Sequence, residues 1–269
     1  MRSVDFAKYE GLGNDFIVVS GPSASTMTPG QARALCDRRR GVGADGVLLL
    51  GPASSPGADV KLRIINADGS VPEMCGNGVR CVAIHVARAR GTGPRRLVVE
   101  TDAGPRACDV DLEAGQVEVD MGASQVGGAV VVAAGGREWS LTPVNVGNPH
   151  GVTFDAATAD DIARVGLSLA TSTTFPEGAN IEFVRPLGPA GFDVTVWERG
   201  VGLTQACGTG ACAVTAVAAA RGLAPYDTPV EVRLPGGSLF ITVRRDGSTR
   251  MRGPARLVFT GTAPLEDER

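Results

Sequence analysis

The chain has 269 residues, 43% hydrophobic and 20% charged, which excludes wholesale disorder and a long charged coiled coil and sets one large or two small globular domains. A net charge of −3 and only 4% aromatic residues supply neither the field nor the stacking surfaces that nucleic acid requires, so none is expected as a partner. Lys8 and Lys61 are the only lysines, which leaves two positions for a cofactor held as a Schiff base.

Arg2, Asp5, Lys8 and Glu10 interrupt any apolar run at the start of the chain, so no signal peptide is expected and the location is read as cytoplasmic. Strands are predicted over 15–20, 47–50 and 60–65. Between the first two, Thr28-Pro29-Gly30-Gln31 sets a hydroxyl cap, a proline at the first helical position and a glutamine three residues on. That helix is expected to run to about Arg40, with Gly41 as its terminal glycine and Asp37 to Arg40 as its solvated end. Strands follow over 97–101, 117–121 and 130–133, then a helix over 158–165. Further strands are predicted over 181–184, 193–197, 230–234 and 239–244, and the tail from Glu266 is expected to fray. The uncharged run 200–220 is rich in glycine and alanine and carries Thr204, Gln205 and Thr209, so it reads as a buried helix with its entry loop and not as a membrane span.

An internal repeat organises these elements. Cys75-Gly76-Asn77-Gly78 opens a helical stretch that ends at Arg90-Gly91, and Cys207-Gly208-Thr209-Gly210 opens another that ends at Arg221-Gly222. Asn14 lies 61 positions before Cys75, and Asn148 lies 59 before Cys207. Two similar α/β halves follow, with a boundary near Gly122 to Gly128.

A cysteine followed by Gly-x-Gly at a helix start sits where unsatisfied amides and the helix dipole favour a thiolate, and the glycines let N–H groups approach an anion. Two such turns about a pseudo-twofold axis would put a thiol on each side of one bound carboxylate. That arrangement suits inversion of an α-carbon, which needs a base on one face and an acid on the other. The same residues also fit buried small cysteines in glycine turns, or a thiol redox sensor. Gly208 to Ala213 additionally matches the G-x-G-x-x-A phosphate turn, whereas Gly41 to Gly46 has the wrong element order and reads as a plain turn. Cys36, Cys81, Cys108 and Cys212 are assigned to packing. With no C-x-x-C pair or histidine cluster, the thiols are expected to be reduced and no metal is expected.

Gly11-Leu12-Gly13-Asn14-Asp15-Phe16, Asn66-Ala67-Asp68-Gly69-Ser70, Met74 to Gly78, Gly147-Asn148-Pro149-His150 and Trp197-Glu198-Arg199-Gly200 followed by Ala206 to Cys212 resemble, in order, the signature blocks of diaminopimelate epimerases. The resemblance implies an α+β fold of two pseudo-symmetric domains, each a mixed sheet curled into a barrel around a central helix. The halves would be 1–122, completed by a returning strand within 255–269, and 123–254. It further implies a cofactor-independent isomerase of lysine and peptidoglycan-precursor biosynthesis that interconverts LL- and meso-2,6-diaminopimelate, and a homodimer. By position, Cys75 and Cys207 would be the acid/base pair, while Gly76, Asn77, Gly208 and Thr209 would offer backbone N–H groups to the reacting carboxylate. Asn66, Asn180 and Arg199 would hold the distal carboxylate, Glu198 would meet an ammonium group, and Asn14 and Asn148 would line the site. A guanidinium fork suits a carboxylate and a glutamate suits an ammonium. Asn66 and Asn148 also suit simple turns, and His150 reads as structural. Some family members carry glutamine where this chain has Gly46.

Overall fold

The computed structural model describes residues 3–91, 95–188 and 191–265, so the tail from Glu266 to Arg269 lies outside the described residues. The chain divides into two compact units, Met1–Val119 with Gly253–Arg269, and Asp120–Arg252.

In the first unit, β1 (Ser3–Gly11) and β2 (Asn14–Ser20) form an antiparallel hairpin. Its turn places Leu12 and Gly13 at φ 58 and 77, the pair of positive values that matches strand twist. A short α1 (Pro22–Thr26) precedes α2 (Pro29–Cys36), which begins at the capping box of Thr28 and Gln31. This helix stops four residues before the expected Arg40. Asp37 turns extended, and its carboxylate accepts the N–H groups of Arg39 and Arg40. Val42 and Gly43 then donate back to the Leu35 carbonyl. Gly41 is needed because a Cβ there would lie 2.2 Å from the Ala34 carbonyl oxygen; it does not cap the helix.

The sheet continues through β3 (Gly46–Gly51), β4 (Val60–Asn66), β5 (Arg95–Thr101), β6 (Gly104–Asp111) and β7 (Gln116–Ala123). Between β4 and β5 runs α3 (Gly76–Ala89), which packs against β1, β2, β4, β5 and β6 and is buried from Gly76 through Ile84.

The second unit holds β8 (Gln125–Val126), β9 (Val130–Ala134), β10 (Arg137–Asn145) and β11 (Pro149–Thr153). Next come α4 (Ala159–Ala170), β12 (Asn180–Pro186), β13 (Gly191–Glu198), β14 (Gly202–Leu203) and α5 (Gly208–Ala220). It ends with β15 (Val230–Leu234), β16 (Gly237–Val243) and β17 (Ser248–Pro254). The uncharged run thus resolves into α5, buried over Gly208 to Ala219, and no helix among the described residues is long and apolar enough to cross a membrane. The last strand, β18 (Arg256–Pro264), returns to the first unit and pairs antiparallel with β1, from Ser3 opposite Pro264 to Glu10 opposite Arg256.

The duplication is visible in the ladder order. β1/β2 is antiparallel, β2/β3 parallel, β3/β4 antiparallel, β4/β5 parallel, then β5/β6 and β6/β7 antiparallel. In the second unit β10/β11, β11/β12, β12/β13, β13/β15, β15/β16 and β16/β17 repeat that succession. Each unit is therefore a mixed α+β sheet wrapped on one buried helix. Among the described residues no ladder returns from β7 to β18 or from β17 to β10, so the sheets stay open and do not close into barrels.

Helix α4 outruns its expected end at Val165 because Gly166, Leu169 and Ala170 continue its buried face, while Thr158 and Asp161 form its capping box. Gly166 faces Trp197, whose ring atoms would lie 2.4 Å from an added Cβ. Replacing a helical glycine by alanine ordinarily gains about 1 kcal/mol, whereas overpacking a filled core costs about 1–3 kcal/mol. Gly166→Ala is therefore expected to destabilise the protein, read as a lower urea midpoint; a raised midpoint would show that the Trp197 ring has room to move.

Candidate active site

Both cysteine turns have the geometry of a helix N-cap. Cys75 has φ −140 and ψ 115 and Cys207 φ −126 and ψ 109; each Sγ accepts the backbone N–H three residues on, from Gly78 and Gly210, at 3.4 Å. The fourth N–H of each helix, from Val79 or Ala211, donates to the carbonyl of the capping cysteine. The N–H groups of Gly76 and Asn77, and of Gly208 and Thr209, occupy the first two helical positions, where no intrahelical acceptor exists. The far ends match as well, with Arg90 at φ −93, ψ −1 and Arg221 at φ −88, ψ 0.

The surroundings of the two thiols differ. Cys75 is half-buried, whereas Cys207 is buried with its Sγ 3.5 Å from Thr209 Oγ1. Burial pushes the Cys207 thiol well above its ordinary value, and the Glu198 and Glu182 carboxylates push it further. The expectation that both turns favour a thiolate therefore fails at Cys207 in this state, because desolvation outweighs the two hydrogen bonds of the cap. Cys36 and Cys81, assigned to packing, are both pushed up to about 12 by burial.

In the first unit, Asp45 organises the residues around Cys75. Its Oδ2 accepts from Asn14 Nδ2 at 2.6 Å and from the Asp15 N–H at 3.0 Å, and its backbone carbonyl accepts from the Ala67 N–H at 2.9 Å. Asn14 Oδ1 in turn accepts from Asn77 Nδ2 at 3.1 Å. Beneath this chain lie Lys8, 2.6 Å from Asp15, and Arg38, which reaches both Asp15 and Asp45. Burial raises the Asp15 carboxyl, but hydrogen bonds from Arg38 and Lys8 outweigh it and hold the group at about 2. Arg38 is thus not simply the solvated end of α2. The sequence reading missed Asp45 and Asp15; their signal was two acids beside the Asn14 block and before Gly46. Asn66 is the last residue of β4, directly across the ladder from Gly46, and its Nδ2 donates to Ser70 Oγ at 3.0 Å beyond the turn that follows. An added Cβ at Gly46 would lie 2.9 Å from the Ile65 carbonyl oxygen, so β4 leaves no room for a side chain there without a shift.

In the second unit, the parallel register sets His150 beside Asn180. Asn180 Oδ1 accepts the Arg199 N–H at 2.8 Å, and the exposed Arg199 guanidinium rests on the Glu177 carbonyl at 3.0 Å. Glu198 accepts from Thr204 Oγ1 at 2.6 Å, and burial raises its carboxyl. Asn148 Oδ1 lies 3.0 Å from His150 Nε2, and His150 Nδ1 lies 2.7 Å from Glu182 Oε1, with His150 and Glu182 fully buried. Glu182 had no sequence signal beyond a lone acid in a strand.

The unequal surroundings have a chemical readout. A raised thiol pKa means less thiolate at neutral pH, so iodoacetamide at pH 7 is expected to alkylate Cys75 first, with Cys207 labelling still climbing above pH 9. Peptide mapping that found Cys207 labelled first at pH 7 would contradict the burial argument.

The model of the diaminopimelate epimerase family matches residues 6–127 and 142–258. A diaminopimelate epimerase of Synechococcus elongatus is 42% identical over 281 residues, covering 98% of this chain and 99% of that protein, and one of Desulforudis audaxviator is 44% identical over 277 residues, covering 96% and 98%. Among solved structures, a hydroxyproline epimerase from Agrobacterium vitis with bound trans-4-hydroxy-L-proline superposes with a TM-score of 0.75 at 16% identity, covering 98% of this chain and 94% of that one. A predicted epimerase from Pseudomonas aeruginosa gives 0.75 at 16%, covering 98% and 100%; both likenesses concern the fold alone. Matched over nearly its whole length, and carrying the two cysteine-capped helices in duplicated mixed sheets, the chain belongs to the diaminopimelate epimerase family.

Proposed function

We propose that the chain is an isomerase that interconverts LL- and meso-2,6-diaminopimelate in lysine and peptidoglycan-precursor biosynthesis, with Cys75 and Cys207 as its acid/base pair. The observation that carries this reading is the matched pair of cysteine caps, each with Sγ 3.4 Å from the N–H three residues on. One cysteine, as thiolate, takes the α-proton and becomes a thiol. Its partner, as thiol, gives a proton to the opposite face and becomes a thiolate. Charge is conserved, and the enzyme is left ready for the reverse substrate. The N–H groups of Gly76, Asn77, Gly208 and Thr209 would receive the α-carboxylate, onto which carbanion charge spreads. No cofactor enters this scheme, because the two thiols and the amide cradle supply each proton and the charge stabilisation.

Asn66, Asn180 and Arg199 would hold the distal carboxylate, with Glu198 on an ammonium group and Asn14 and Asn148 lining the site. The Asn180 bond to the Arg199 N–H supports this set, since it fixes the backbone from which the guanidinium projects. An arriving ammonium would offset the burial that raises Glu198. Gly46 leaves a contact that glutamine makes in some relatives to another residue or to none. The same reading includes a cytoplasmic location and a homodimer.

Incubation with LL-diaminopimelate in deuterated water tests the reaction: deuterium is expected at one α-carbon of the meso product, and absence of any labelled meso product after prolonged incubation would sink it. A family relative acting on a proline-type substrate would keep the cysteines and need no distal ionic site. Arg199→Met separates the two, with an expected rise in KM of roughly tenfold to a hundredfold for diaminopimelate, the range of a charge-assisted carboxylate bond; unchanged turnover would reject the substrate assignment.

A further inference from the structure

The His150–Glu182 pair lies outside every role assigned above. Both side chains are fully buried, joined by 2.7 Å between Nδ1 and Oε1. Glu182 stands two residues after Asn180 on β12, so the two share a face of the strand. It also lies directly under the second cysteine turn: a Cβ on Gly210 would be 2.8 Å from Glu182 Oε1. Its other oxygen, Oε2, is buried with no hydrogen-bond partner among the described residues. Among the described residues, the titratable groups whose fields meet this pair include Cys207, at the start of α5, and Glu198, on β13.

A half-satisfied buried carboxylate holds a sheet together less well than packed apolar groups of its size, so stability does not account for it. Orientation does. An ionised carboxylate only accepts, so the ring nitrogen facing it must carry a hydrogen. Nε2 faces a second acceptor, Asn148 Oδ1 at 3.0 Å, so it must carry a hydrogen as well. An amide whose oxygen faces the ring turns its NH2 away, where it can donate to a bound carboxylate.

We infer that Glu182 is a positioning residue: its buried carboxylate holds His150 with a hydrogen on each ring nitrogen, and the Nε2–H so kept sets the hydrogen-bonding sense of Asn148. Glu182 touches no reacting atom; it acts through His150. The inference deepens the diaminopimelate reading, resting on it only for the choice of assay.

The chain has two histidines, His85 and His150, so ring nitrogens are assignable in a 15N-labelled sample. In the ligand-free wild-type protein, one ring is expected to carry slowly exchanging hydrogens on both Nδ1 and Nε2, with one of the two lost in Glu182→Gln. A wild-type His150 ring with either nitrogen bare would overturn the inference, and this measurement needs neither a folded variant nor a known substrate. With diaminopimelate, Glu182→Gln is expected to raise KM about tenfold, the scale of one lost positioning bond, with little change in kcat. Because Glu182 acts through His150, the double variant with His150→Asn should be no worse than His150→Asn alone. Full addition of the two losses, or an unchanged KM in Glu182→Gln, would reject it. If wild-type protein does not turn over diaminopimelate, the substrate reading fails and the ring spectra decide this point alone.

Discussion

The structure depends on a cysteine acting as a helix cap. A cap must satisfy amide groups that a helix start leaves without acceptors, and a serine or aspartate oxygen usually does so. Here sulfur does it twice, and each capped helix is the core element of its unit. The residue that closes the helix geometrically is thereby the residue that meets solvent or ligand chemically. Because α3 and α5 are packed by the sheets around them, the sulfur atoms are held as firmly as the cores themselves.

Duplication preserved the backbone of this device and changed its electrostatics. The ladder succession and the cap dihedrals agree between units, yet in the first unit an amide chain, Asp45 to Asn14 to Asn77, backed by Lys8 and Arg38, reaches the start of α3, whereas Cys207 has the Glu182 and Glu198 carboxylates nearby. Desolvation and buried acids at Cys207 raise its thiol without altering the turn.

The elements legible in the sequence were those whose information is local. The Thr28 capping box, the paired Cys-Gly-x-Gly turns and the β-branched runs all act through neighbours within a few residues. The end of α2 was misplaced because Asp37 and the returning Val42 and Gly43 amides, not helix propensity, decide it. Strand β1 was missed because its charged residues read as surface, although Lys8 is buried against Asp15 by a partner contributed from β2. The Asp45 hub and the Glu182 pair were invisible for the same reason: each acid gains its meaning from a residue on another strand. Asn180 and Arg199 were recognisable only through family resemblance, since neither stands in a local motif that carries its own chemistry.

The pairing of β18 with β1 has a consequence for how the molecule is made. Ser3 pairs with Pro264, so the first unit lacks an edge strand until synthesis has passed nearly the entire sequence. During translation β1 waits with one side of its ladder open, while the second unit, continuous in sequence, has everything it needs. Closing so long a loop is slow, and an open strand edge is a template for wrong pairing in the interval. The order of maturation therefore runs against the order of synthesis: the later half completes first, and the earlier half is sealed last.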